Sequence, residues 1–252
     1  MSKPNKQGKY MLFFRSFVFN IIFFSLTPLY LALMYIPMLI LPYSFCMKLF
    51  KIWSNSILFI LRYAVGIKLE IRGKENLENV LKNGPCILAL KHQSAFETII
   101  CSLLLNRFVI ILKKELLFIP LFGQYLLKLK SIALVRSQSS KSLRVLLNKS
   151  SEMLKQNYSI LIFPEGTRQD VGSTTKYKGG VALMYSNLNV PVVPIALNAG
   201  LFWPKRSWIK KPGTIIFDIL HPIQPGLDKR IFLNQLQETI EHHTSLLVKE
   251  IQ

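Results

Sequence analysis

Seven short apolar runs, separated by helix-compatible stretches, constrain the fold of this chain more than any other feature. They fall at residues 68–72, 86–90, 108–112, 132–135, 159–163, 192–197 and 214–220. Residues 68–72 alternate as a half-buried strand does, and Gly73 ends them. Runs such as Cys86-Ile87-Leu88-Ala89-Leu90 are unbroken, as in strands covered on both faces. Residues 98–105, 140–156 and 180–187 read as helices between strands, and residues 228–249 as a closing amphipathic helix. This alternation predicts an α/β fold, a mainly parallel mixed sheet flanked by helices that ends in an antiparallel pair near residues 214–220.

The amino-terminal part obeys a different rule. Residues 11–41 are almost wholly apolar, longer than the ~20 residues that span a bilayer core. Phe13, Phe14, Phe17, Phe19, Phe23 and Phe24 leave the run no polar face, which argues against a core helix. Lys3, Lys6 and Lys9 precede it while Lys48 and Lys51 follow, so flanking charge assigns no orientation. Pro28 and Pro37 are placed to bend the segment so that both ends face the cytosol, and residues 52–65 read as a second, partly apolar helix at the surface. The expectation is a membrane-anchoring helical segment over 1–65 and an α/β domain over 66–252 on the cytoplasmic side, with spanning and re-entry both open.

A formal charge of +19 calls for an anionic partner: phosphate-bearing lipid, acidic carrier, nucleotide or nucleic acid. Nucleic acid is not expected, because no helix-turn-helix, zinc or RNA-binding aromatic motif accompanies the charge. Cys46, Cys86 and Cys101 are odd in number and form no C-x-x-C, so they read as buried reduced thiols, and no metal site is expected.

In such folds ligands gather at the carboxyl ends of the strands. His92 and Glu97 follow the run 86–90. Residues five apart on one helix point about 140° from each other. They can meet if His92 lies in the turn and Glu97 in the first helical turn. The pair then has the logic of a general base and its orienting carboxylate. A capping box, with Ser94 and Glu97 satisfying backbone N–H groups, explains Ser94 and Glu97 without chemistry. Lys113-Lys114-Glu115-Leu116 follows the third run, Arg136 the fourth, and Pro164-Glu165-Gly166-Thr167-Arg168 the fifth. Each brings a cation to the edge where His92 is expected, and the Gly166 turn can offer backbone N–H groups to an anion. Singly, each is explained by an ordinary turn or a solvated charge. Their shared edge argues for a site.

Taken in order, these blocks resemble the 1-acylglycerol-3-phosphate O-acyltransferases of the glycerolipid acyltransferase superfamily. The family's His-x4-Asp motif is similar to His92 through Glu97. Its second block resembles Lys113-x-Glu115-Leu116 with Pro120 and Phe122-Gly123, leading to Arg136. Phe163-Pro164-Glu165-Gly166-Thr167-Arg168 matches its third block in full, and Val190-Pro191-Val192-Val193-Pro194 resembles its fourth. Tyr177-Lys178-Gly179 and the lead-in Arg72-Gly73-Lys74-Glu75-Asn76 fit as well, so the likeness covers about residues 69–198. Two positions depart from the pattern: Glu97 stands for the usual Asp, and Val135 for a common acidic or amide residue.

The resemblance implies a membrane-associated enzyme moving a fatty acyl group from an acyl thioester to the sn-2 hydroxyl of 1-acyl-sn-glycerol-3-phosphate, giving phosphatidic acid. His92 would be the base and Glu97 its orienter. Lys113 and Arg168, then Arg136, would hold the phosphate; Glu165 would hold a glycerol hydroxyl or fix Arg168; and Gly166 and Thr167 would complete the substrate site. No permanently bound cofactor is implied; acyl-CoA or acyl-[acyl carrier protein] is the co-substrate, and the membrane surface and its lipid are the partners. The alternatives are a related acyltransferase acting on another lyso-lipid or on glycerol 3-phosphate, and a non-catalytic basic membrane protein binding anionic lipid or nucleic acid. Trp203 and Trp208 with Lys205, Arg206, Lys210 and Lys211 read equally well as an interfacial contact or as a charged loop with packed aromatics.

Overall fold

The apolar runs form strands because each has a covered face to fill. A computed structural model describes residues 6–135 and 140–251. The strands are β1 (Ile67–Arg72), β2 (Ile87–Leu90), β3 (Phe108–Lys113), β4 (Ile132–Leu134), β5 (Ser159–Ile162), β6 (Val192–Leu197) and β7 (Gly213–Ile219), in one sheet ordered β1-β7-β6-β2-β5-β3-β4. From β6 to β4 every pairing is parallel; β7 turns antiparallel to β6, and β1 runs parallel to β7. The central strands β2, β5 and β6 are buried at every residue, as their unbroken apolar character requires.

Helices cover both faces. Leu88, Leu90, Leu161 and Val193 point into a core shared with α3 (Tyr43–Ile60), α4 (Lys74–Lys82) and α5 (Phe96–Leu104). Ile87, Ala89, Ile160 and Val192 point the other way, against α7 (Ser140–Lys155), α8 (Gly179–Leu188) and α9 (Lys229–Ile251). Helix α4 is not evident in the apolar pattern, because it needs only Leu77 and Val80, three apart, to hold it down. A short helix α6 (Phe122–Lys128) after β3 is equally unanticipated.

The amino-terminal segment is a helical hairpin. Helix α1 (Lys6–Leu33) continues through Pro28, which removes one bond from its ladder. Pro37 sits in the first turn of α2 (Tyr35–Ile40), and the break between α1 and α2 falls at Met34, where Pro37 has no N–H to donate to Leu33 O. A second break follows at Leu41-Pro42. Helix α3, with its π-helical extension Leu61–Val65, returns antiparallel to α1: Arg15 Nε donates to Ala64 O (2.8 Å), and Tyr30 OH donates to Leu49 O (2.8 Å). Both arms are long and apolar enough to cross a membrane by length and composition. Only 17% and 28% of their apolar windows are buried, far less than a core helix requires.

The tryptophan loop divides in two. Trp203 is buried against Phe19, Phe23 and Phe96, and Lys210 is buried with Nζ donating to Asn20 Oδ1 (2.6 Å), so neither presents itself to an interface. For these two residues the packed reading holds, against helix α1. Trp208 remains 66% exposed beside Phe24.

Candidate active site

Leu90 ends β2, and the chain leaves the sheet as Lys91-His92-Gln93-Ser94-Ala95 before α5 begins. Glu97, in the first turn of α5, is wholly buried and uses its two oxygens differently. Oε1 accepts the backbone N–H groups of Gln93 (2.9 Å) and Ser94 (2.7 Å), which is the glutamate half of a capping box. Oε2 faces Nδ1 of His92 at 3.6 Å, and neither atom has a hydrogen-bond partner among the described residues. The capping and orienting readings therefore describe the same side chain. Ser94 Oγ accepts the Phe96 N–H at 3.2 Å, which accounts for that hydroxyl structurally.

The segment after β5 grips His92 from the other side. Parallel pairing of β2 with β5 sets Ala89 beside Ile162, so His92 and Phe163 leave the sheet together. The Phe163 ring stacks on the imidazole at 3.9 Å with 20° between planes. Glu165 Oε2 accepts the His92 N–H (2.7 Å), and His92 O accepts the Gln169 N–H (2.7 Å). Glu165 was expected at a substrate hydroxyl or at Arg168; its side chain is instead fully enclosed, with Oε1 2.6 Å from the buried Lys91 ammonium. Lys91 also meets both oxygens of Glu241 on α9, at 2.6 and 2.8 Å. Burial pushes the Glu165 carboxyl up from 4.5 to about 7, against the opposing pull of Lys91.

Gly166 adopts φ +70, which closes the turn, and its N–H donates to Phe163 O at 2.9 Å. That amide is therefore committed. The Thr167 and Arg168 N–H groups carry no hydrogen bond among the described residues. Thr167 Oγ1 accepts from Gln169 Nε2 (2.9 Å), and Arg168 is exposed with no ion pair to its guanidinium among the described residues. Lys113 ends β3, the neighbour of β5, with its ammonium likewise unpaired among them. Arg136 lies outside the described residues. The block after Lys113 is architectural: a Cβ on Gly123 would come within 2.0 Å of Leu117 O, so only glycine fits. No cluster of three or more His, Cys, Asp or Glu able to hold a metal occurs among the described residues.

Lys91, Phe163, Tyr177 and Glu241 were not among the residues expected at the site. Lys91 looks like a strand-edge cation, and nothing in a sequence announces that residue 241 lies beside residue 91.

The acyltransferase family model matches residues 68–198. The 1-acyl-sn-glycerol-3-phosphate acyltransferase of Pseudomonas aeruginosa is 39% identical over 203 residues, 79% of this chain and 77% of that protein. The human 1-acyl-sn-glycerol-3-phosphate acyltransferase beta is 27% identical over 164 residues, 64% of this chain and 58% of that protein. The crystal structure of the 1-acyl-sn-glycerophosphate (LPA) acyltransferase PlsC from Thermotoga maritima superposes with a TM-score of 0.76 at 21% identity, covering 92% of this chain and 96% of that one. Fold and motifs together make this chain an α/β acyltransferase. It belongs to the 1-acyl-sn-glycerol-3-phosphate acyltransferase family.

Proposed function

We propose that the chain transfers a fatty acyl group from an acyl thioester to the sn-2 hydroxyl of 1-acyl-sn-glycerol-3-phosphate at a membrane surface, releasing phosphatidic acid and a free thiol. The observation that carries this reading is His92 held between Glu97 and the Phe163–Gln169 segment, at a sheet edge shared with Lys113 and Arg168. Nδ1 faces Glu97, so Nε2 is left for the acceptor. It takes the hydroxyl proton as the oxygen attacks the thioester carbonyl, and the imidazolium formed is stabilised by the buried carboxylate. The Thr167 and Arg168 amides are available to the tetrahedral oxyanion. Collapse expels the thiolate, which recovers the proton from His92.

Lys113 and Arg168, with Arg136, supply positive charge for the acceptor phosphate, arginine by a bidentate fork and lysine as a point charge. The segment 1–65 anchors the domain over 66–252, which faces the cytoplasm, where acyl-CoA or acyl-[acyl carrier protein] supplies the acyl group. The experiment is thiol release by the full chain in detergent, with 1-acyl-sn-glycerol-3-phosphate, a phosphate-free lyso-lipid and glycerol 3-phosphate as competing acceptors. Turnover that prefers the first and falls to a small residual level in His92→Ala supports the proposal. Equal turnover by His92→Ala overturns the mechanism, and preference for another acceptor overturns the substrate.

A further inference from the structure

Beneath the site lies a set of buried charges that the proposed chemistry does not use. Lys91 is 1% exposed, and its ammonium lies between Glu165 Oε1 and both oxygens of Glu241. Tyr177, also buried, donates its hydroxyl to Glu241 Oε1 at 3.0 Å. The far end of the set is Glu165 Oε2 on the His92 N–H. Lys91 and Glu165 are withdrawn from water while Glu241 stays part-exposed; burying such a pair is expensive, and apolar side chains would fill the same volume more cheaply. A packing role alone therefore leaves the charges without a reason.

We infer that Lys91, Glu241 and Tyr177 are positioning residues for His92, acting through Glu165. The inference rests on the reading of His92 as the base. Lys91 and His92 are adjacent, so their side chains leave the chain on opposite sides, and the same turn is held from below by Lys91 and from within by the His92 amide. Glu165 receives both. Glu241 keeps the Lys91 ammonium paired on its other side, and the Tyr177 hydroxyl fixes the Glu241 carboxylate. Helix α9 thereby reaches the site from outside the segment that carries the family motifs, residues 68–198. Without Glu241, Lys91 is free to draw Glu165 from the His92 amide, and a base displaced by about 1 Å loses about a hundredfold in rate.

The test uses the full chain in detergent, with Glu241→Gln and Tyr177→Phe, which preserve side-chain volume. Labelling with 15N-histidine gives amide signals from 4 residues, and the one lost in His92→Ala belongs to His92. In Glu241→Gln the His92 amide is expected to exchange about tenfold faster or more, with His221 as the unchanged reference. The kcat for thiol release is expected to fall about 10- to 100-fold with KM for both substrates held within about twofold. Tyr177→Phe shifts both readouts the same way, by less. In a His92→Ala background, Glu241→Gln removes nothing further from residual turnover, because its effect runs through the residue already removed. An unchanged His92 amide overturns the proposal at any activity, as does unchanged kcat or a fully additive double mutant. A native chain that releases no thiol sinks the reaction proposed above, and the amide exchange then still decides whether these residues hold His92.

Discussion

The ring of Phe163 lies flat on the imidazole of His92, 3.9 Å between centroids. Phe163 is the last residue of the fifth apolar run, and its neighbour Ile162 pairs with Ala89, so strand register brings Phe163 to the edge at which His92 leaves β2. Phe163→Leu keeps an apolar contact and loses the flat surface. We expect kcat to fall about tenfold with KM little changed, and Phe163→Tyr to retain most activity. Steady-state thiol release checks both; a Leu variant with native kcat would show that the stack does not hold the base.

Glu97 has two tasks that substitution separates. Glu97→Gln can still accept the Gln93 and Ser94 N–H groups through its amide oxygen, while its NH2 group meets Nδ1 of His92. That favours the wrong tautomer, leaving Nε2 protonated. Activity is expected to drop about 10²- to 10⁴-fold with folding preserved. Glu97→Ala also strands two buried donors, and should lose about 2–4 kcal/mol in denaturant unfolding. Glu97→Asp is one methylene short of spanning both tasks, and about tenfold lower kcat is expected.

The strands were legible because a buried parallel strand has no choice but continuous apolar residues. Cys86 to Leu90 and Val192 to Leu197 carry that pattern without interruption. The pairing of His92 with Glu97 was legible too, since it depends on one turn and one helix start. Residues whose role depends on tertiary contact were not. Lys91 and Glu241 stand 150 positions apart and meet only because α9 packs back across β6. Trp203 and Lys210 resembled an interface because their amphipathic character fits either setting, and the Asn20 and Phe19 of α1 decide it. Of the two prolines, Pro37 coincides with a helix break, at Met34, whereas α1 continues through Pro28.

Lys113 and Arg168 stand at neighbouring strand ends with no ion pair to either side chain among the described residues, in a chain rich in cations. If they hold the acceptor phosphate, Lys113→Ala or Arg168→Ala removes a charge-assisted bond of about 1.5–3 kcal/mol and raises the acceptor KM about 10- to 100-fold. Turnover of a phosphate-free lyso-lipid should not change. Equal loss on both acceptors would assign these side chains to the donor or to folding instead.

Glu165 makes stability depend on pH in a direction opposite to most acids. Two carboxylates share the Lys91 ammonium in a buried site, and burial raises Glu165 from 4.5 to about 7. The folded state therefore holds a proton that the unfolded chain releases. That contribution to stability is complete below pH about 4.5, declines as pH rises, and is gone above about 7, with a full span on the order of 3 kcal/mol. Glu165→Gln cannot ionise and keeps an oxygen for the His92 N–H. The stability of the native chain relative to Glu165→Gln should thus fall between pH 4.5 and 7 and level off above, measured by urea unfolding in one detergent at each pH. A difference that stays flat across that window would mean that Lys91 and the His92 amide already compensate the buried charge, and that Glu165 is ionised throughout.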